Sequence, residues 1–316
     1  MAIKVYIAGH RGMVGSAIWR RLSGDNRYQL VGRTSAELDL RNQKSVRDFI
    51  FAERPDIIID AAARVGGILA NATYPYQFLM DNLLIQNNLL SASHEAGVPK
   101  FIFLGSSCIY PKHAPQPLRE ECMLTGALEE TNQWYAVAKI SGVKAVEALR
   151  HQYQVDYVSL MPTNLYGPFD NFDLQTSHVL PAMIRKFHEA KVNGHVPVVL
   201  WGSGSPLREF LHVDDLAAAV AFVAERTMPE HLYNVGVGHD LPIRELAERV
   251  QKTVGHQGEI QWDSSKPDGT PRKLMDVSKL SALGWQYSIS LEAGLTSTYQ
   301  WFLEHRHELK EVKVKA

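Results

Sequence analysis

The residues of this chain that could do chemistry fall into a few short runs. Gly9-His10-Arg11-Gly12-Met13-Val14-Gly15 stands between the apolar run Ile3–Ala8 and a helical pattern over Met13–Leu22. Glycines at these spacings permit a tight turn, close approach of a pyrophosphate to bare backbone, and tight helix–strand packing. The helix N-terminus adds free N–H donors and a positive dipole end. Such a glycine triplet alone is a weak signal; a strand before it and a helix after it make it a dinucleotide-binding loop. Tyr135 and Lys139 stand at i and i+4, on one face of one helix. A phenol near its ordinary pKa is a poor acid or base at neutral pH unless a nearby cation stabilises its phenolate. Lys139 can do that and can also reach the ribose hydroxyls of a nicotinamide cofactor. Gly105-Ser106-Ser107 follows the fourth apolar run, at the strand end where an open α/β sheet places its ligand.

The second strand bears on the cofactor's phosphate state. A site selective for NAD usually carries an acidic residue about 20 residues beyond the loop. Here the strand ends in Gly32-Arg33-Thr34-Ser35, with Arg33 18 residues past Gly15 and Arg11 inside the loop. Two guanidiniums suit a 2′-phosphate, which arginine grips bidentately. NADP(H) is expected over NAD; the plain alternative is two solvated arginines.

These groups need a scaffold, and the hydrophobic pattern supplies one. Strands at Ile3–Ala8, Tyr28–Val31, Asp56–Asp60, Phe101–Leu104 and Tyr157–Leu160 alternate with helical patterns over Met13–Leu22, 45–52, Tyr76–Ala96 and 134–153. Near-continuous apolar strands separated by helices indicate a parallel sheet covered on both faces, a doubly wound α/β (Rossmann) fold. After about residue 168 the texture changes to a polar loop, then mixed short elements. The expected division is 1–168 for the cofactor and 169–316, a smaller α/β unit, mainly for the substrate, with some later segments returning to the first sheet.

Composition sets the outer bounds. The 316 residues fit a prior of about two domains. Hydrophobic residues at 45% and charged ones at 21% are ordinary globular usage, which excludes disorder and collagen-like repeats. A formal net charge of −1 argues against a nucleic-acid coat or a polybasic membrane binder. No run approaches the roughly 18 apolar residues of a membrane span, and the first residues do not read as a cleavable leader. Only Cys108 and Cys122 are present, too few for a disulfide framework, so a reducing cytoplasm is the expected compartment. No metal site is expected.

Taken together, the glycine loop, the serine after the fourth strand and the Tyr135/Lys139 pair resemble the extended short-chain dehydrogenase/reductases that act on nucleotide sugars. Six motifs in order, GSSCIYPK, TNQWYAVAK, PTNLYGPFDNF, SHVLPA, WGSGSPLREFLHVDD and SKPDGTPRK, are similar to the GDP-L-fucose synthase family within that group. The resemblance implies 3,5-epimerisation followed by NADPH-dependent 4-reduction of a GDP-4-dehydro-6-deoxy-D-mannose substrate. It places Cys108 and His178 at the base and acid positions of the epimerisation, residue types that can titrate near neutral pH. Tyr135 would hold the C4 oxygen, with Ser106 as second ligand and Ser107 its rival. Cys108 occupies the position where related 4,6-dehydratases carry a carboxylate. A different epimerase or dehydratase on this scaffold is the alternative.

Further positions follow from the same resemblance. Asp39 and Leu40 would lie near adenine, Leu104, Gly105, Ser106 and Ser107 below the nicotinamide, and Pro162, Thr163, Asn164 and Leu165 against its ring, with His178 close by. Lys186, Trp201, Arg208 and Asp268 would bind the GDP moiety. Ser35 departs from relatives with arginine there, which leaves the 2′-phosphate to Arg11 and Arg33. Lys186 likewise stands where relatives often have arginine, keeping the charge without the fork. A homodimer through the helices around 76–96 and 134–152 is also implied.

Overall fold

The computed structural model describes residues 2–266 and 268–307, with the backbone alone at Ile68 and Leu69. The expected second division, 169–316, therefore ends beyond the described residues. In chain order, β1 (Ile3–Ala8) leads to α1 (Met13–Ser23), β2 (Tyr28–Val31) to α2 (Gln43–Glu53), and β3 (Ile57–Asp60) to α3 (Ile68–Thr73) and α4 (Pro75–Glu95). Then come β4 (Lys100–Leu104), α5 (Gln133–Tyr153), β5 (Asp156–Pro162), β6 (Asn164–Tyr166), α6 (Val179–Val192), β7 (Val198–Trp201), β8 (Leu207–Arg208) and β9 (Phe210–His212). The described chain closes with α7 (Val213–Ala224), β10 (Leu232–Val235), β11 (Leu241–Pro242), α8 (Ile243–Val254), β12 (Ile260–Asp263), β13 (Arg272–Lys273), α9 (Ser278–Ala282) and α10 (Leu291–His305).

Six strands form one parallel sheet in the order β10-β5-β4-β3-β1-β2. All residues of β3 and β4 are buried, as strands covered on both faces must be. On one face α1 and α7 pack through Ile18, Leu22, Leu216 and Val220 against Val5, Ile7 and Ile59. On the other, α2, α4 and α5 pack through Ile50, Leu89 and Val143 against Tyr6, Ile58 and Phe103. Fully burying side chains such as Ile18 and Leu22 contributes about 1.5–3 kcal/mol each. That anchorage holds the N-terminal turn of α1 in place over the end of β1.

Strand order reverses between β1 and β3. The sheet therefore opens a crevice at the carboxyl ends of these strands, the usual ligand position in such sheets. Beyond residue 168 the elements divide. Strand β10 and helix α7 extend the large sheet and its cover. Helices α6, α8 and α10 instead enclose a separate apolar cluster around Phe187, Leu246 and Phe302. Among the described residues no helix is long and apolar enough to cross a membrane.

Candidate active site

The loop after β1 is built for close approach. Gly9 has φ 77°, and a Cβ there would meet the Ala61 carbonyl oxygen at 2.7 Å; a Cβ on Gly15 would meet the Gly9 carbonyl oxygen closer still. Gly12 precedes α1 in extended conformation, caps it with no side chain, and no acidic residue lies in the first turn. The N–H donors there are thus available to an anion. Met13 and Val14 pack into the core beneath. His10 sits against Gly32 and lies 5.5 Å from the Trp19 ring, its Nδ1 buried with no partner among the described residues. This bare cradle at a helix N-terminus fits a dinucleotide pyrophosphate.

Farther along the crevice, Arg11 is exposed. Arg33 is engaged: it donates to Glu53 at 2.9 Å and to the Gly32 carbonyl at 2.9 Å, and lies over the Phe49 ring. Ser35 is exposed. Asp39 is paired with Arg41 at 2.9 Å, and the Leu40 carbonyl accepts from Asn88.

The end of β4 collects the reactive groups. Lys139 is buried, donates to the Leu104 carbonyl at 2.9 Å, and lies 4.7 Å from the Phe103 ring centroid and 5.9 Å from that of Tyr135. Burial pushes the Lys139 ammonium below its usual range, and the Asp60 carboxylate opposes that. The Tyr135 phenol is pushed upward by burial and further by Cys108 and Asp60, while a hydrogen bond to Ser106 acts the other way. Ser106 caps the short 3-10 turn Ser107–Ile109 and faces outward into the cluster; Ser107 is buried. Gly105 donates to the Leu160 carbonyl and leaves no room for a side chain against Met161.

Cys108 Sγ receives Ser106 Oγ at 3.2 Å and Asn132 Nδ2 at 3.3 Å, with Lys273 Nζ at 4.0 Å. Three donors thus converge on one sulfur. His178 stands at the N-cap of α6 without capping it. Desolvation and the Lys273 ammonium lower the proton affinity of its ring, so Lys273 bears on both Cys108 and His178. Pro162 closes β5, and Thr163 and Asn164 bond the Glu209 carbonyl at 3.3 and 2.8 Å, tying this segment to the β8–β9 connection. Leu165 packs on the core.

The second unit groups the remaining residues. Trp201, 63% exposed, is flanked by Lys186 at 5.9 Å and Lys266 at 5.7 Å from its ring centroid. Lys186 also bonds the Val199 carbonyl, and burial lowers its proton affinity. Asp268 accepts from Ser203 N and Oγ at 2.7 and 2.8 Å and acts electrostatically on Arg208. Asn132 and Lys273 were not singled out by residue-type reasoning, although both lie inside quoted motifs. Asp60 was missed as well; in the run Asp56–Asp60 a carboxylate stands at each end, and only the structure leaves Asp56 outside β3 and buries Asp60.

Comparison with known proteins identifies the family. The profile of the NAD dependent epimerase/dehydratase family matches residues 5–236. The chain is 56% identical over 302 residues to GDP-L-fucose synthase 1 of Arabidopsis thaliana, covering 96% of this chain and 94% of that protein. It is 54% identical over 317 residues to GDP-L-fucose synthase of Escherichia coli K12, covering 97% and 98%. A GDP-L-fucose synthetase from Naegleria fowleri, solved bound to NADP, superposes with a TM-score of 0.89 at 27% identity, covering 98% of this chain and 96% of that one. The chain belongs to the NAD dependent epimerase/dehydratase family and, within it, to the GDP-L-fucose synthases.

Proposed function

We propose that the chain is an NADPH-dependent enzyme that inverts C3 and C5 of GDP-4-dehydro-6-deoxy-D-mannose and reduces C4, giving GDP-L-fucose. The observation that carries this reading is the convergence of Ser106, Cys108, Tyr135 and Lys139 at one strand end. That set serves both enolisation and carbonyl reduction. Residues 1–168 chiefly hold the cofactor and the remainder chiefly the substrate.

The loop Gly9–Gly15 holds the pyrophosphate, and Arg11 and Arg33 take the 2′-phosphate once Arg33 leaves Glu53. Asp39 and Leu40 border the adenine. Leu104–Ser107, Pro162–Leu165 and His178 border the nicotinamide, and Lys139 holds its ribose. When bound, the reduced nicotinamide supplies a hydride to C4.

Protons at C3 and C5 are α to the C4 carbonyl and acidic enough for enolisation. Cys108 withdraws each proton on one face and His178 returns one on the other. Tyr135 and Ser106 hold the C4 oxygen throughout, because negative charge develops on that atom in both steps. Burial keeps the phenol protonated, so Tyr135 donates its proton as C4 is reduced. Lys186 and Arg208 neutralise the diphosphate, Trp201 packs on sugar or base, and Asp268 accepts from a guanine or ribose donor. Two copies associate through α4 and α5, where Leu84, Trp134 and Val137 are exposed, and the compartment is the cytoplasm.

Incubation with GDP-4-dehydro-6-deoxy-D-mannose and NADPH tests this. Loss of reduced-nicotinamide absorbance with formation of GDP-L-fucose is expected. A product of other stereochemistry, or NADPH left unconsumed, would refute it.

A further inference from the structure

The sheet face beneath Lys139 holds a carboxylate for which the mechanism above has no use. Asp60 ends β3 and is fully buried. It lies in one register row with Ala8 of β1 and Phe103 of β4, a row that continues to Ser159 of β5. Ile58, two residues earlier, packs in the core beneath α2, α4 and α5, so strand alternation turns Asp60 to the same face. Lys139 comes down on this row from α5, its ammonium over the Phe103 ring. Gly142, one turn on, makes that approach possible, because a Cβ there would collide with the Phe103 ring.

The polar groups of the row are incompletely paired. Asp60 Oδ1 accepts from the Ala62 N–H at 3.1 Å, while Oδ2 is buried with no partner among the described residues. Ser159 Oγ and Gln86 Oε1 are buried and unpartnered too, although Gln86 donates to the Ala138 carbonyl in α5 at 2.6 Å. Burying a carboxylate with one hydrogen bond is costly unless an opposite charge answers it. An apolar side chain would fill this strand end at lower cost, so packing alone gives no reason for an acid.

We propose that Asp60 is a positioning residue for the reduction, the counter-charge that keeps Lys139 an ammonium and so sustains Tyr135 as proton donor. This rests on the functional reading above and deepens it. Burial drives Lys139 toward the neutral amine, and Asp60 opposes that. Burial also drives Asp60 toward the neutral acid, raising it to about 6, and Lys139 opposes that in turn. The other charged or titratable groups around the pair are Tyr6 on β1, which feels both Asp60 and Arg33, and Tyr135 on α5, which feels Asp60 and Cys108. The uncharged Gln86 ties α4 to the Ala138 carbonyl of α5.

The sign is definite. As pH falls through about 6, Asp60 takes a proton, Lys139 loses its counter-charge, and hydride transfer slows. Asp60→Asn places the site permanently in that condition. Single-turnover NADPH oxidation with the 4-ketosugar, run across pH with a deuterium label on the transferred position, reads the step. Asp60→Asn should be roughly 10-fold slower or more at neutral pH. It should also lose the acid limb and lose activity at lower alkaline pH than the wild type. Added to Lys139→Met, it should cost nothing further.

A wild-type pH profile in Asp60→Asn, or an additive loss in the double variant, would overturn the proposal. So would a lowered unfolding temperature with an unmoved profile. NMR titration of the Lys139 ammonium in ligand-free protein gives a readout independent of the sugar. It should move to lower pH in Asp60→Asn, and an unmoved titration overturns the proposal even if the substrate assignment fails. A wild type that consumes no NADPH refutes only the functional reading.

Discussion

Replacing Gly15 by alanine should disable cofactor binding and spare the GDP site. The new Cβ would stand within 3.0 Å of the Gly9 carbonyl oxygen and of His10 Cα, closer than real Cβ contacts come. The obstacle is backbone, so no side chain can rotate away, and the loop or α1 must move by nearly 1 Å. The loop cannot retreat toward β3, because Gly9 already lies against Ala61 and Ala62 there. A misplacement of about 1 Å costs on the order of 10²-fold where geometry matters, or about 2.7 kcal/mol of NADPH binding. Overpacking of this kind destabilises by about 1–3 kcal/mol, against a typical total of about 5–15, so the variant should fold. Gly24→Ala is the control at the other end of α1, where a Cβ meets nothing within 4 Å. Calorimetric titration with NADPH and, separately, with GDP reads both sites. Unchanged NADPH affinity in folded Gly15→Ala would refute the cradle; loss of GDP binding as well would show a wider collapse.

Tyr135→Phe should abolish reduction, by roughly 10²-fold or more, with little change in NADPH affinity, whereas Lys139→Met should impair both; stopped-flow reduction and equilibrium binding separate them. In heavy water the wild type should incorporate deuterium at C3 and C5, and Cys108→Ser should bind both ligands yet lose that exchange, measured by mass spectrometry. Exchange at the wild-type rate would mean another base acts. Asp170 offers a stability test: its carboxyl group accepts an N–H from Asn171 at 2.7 Å, its Oδ2 is buried with no partner among the described residues, and burial raises it to about 7. Because the folded value lies above the unfolded one, its contribution is present at low pH and is lost as pH rises to about 7. That amounts to a decline of up to about 4 kcal/mol. Asp170→Asn should flatten this part of the stability–pH curve in denaturant melts, and an unchanged curve would refute the assignment.

Much of this protein is written locally. The alternation of apolar strands with helical patterns, the glycine loop at the β1–α1 junction, and the i, i+4 placing of Tyr135 and Lys139 depend on residues close in sequence, so pattern and sterics alone determine them. Two-residue strands such as β8, β11 and β13 leave no periodic signal, and they form because a distant partner is in place. Only the tertiary structure decided that Arg33 is held by Glu53 and that Lys273 reaches Cys108 across 165 positions. It also turned Asp60, the last letter of an apolar strand, into the buried counterpart of Lys139. The physical reason is that charge–charge energies depend on distance and burial, and both are set when the sheet closes against α4 and α5, not by the spacing of letters along the chain.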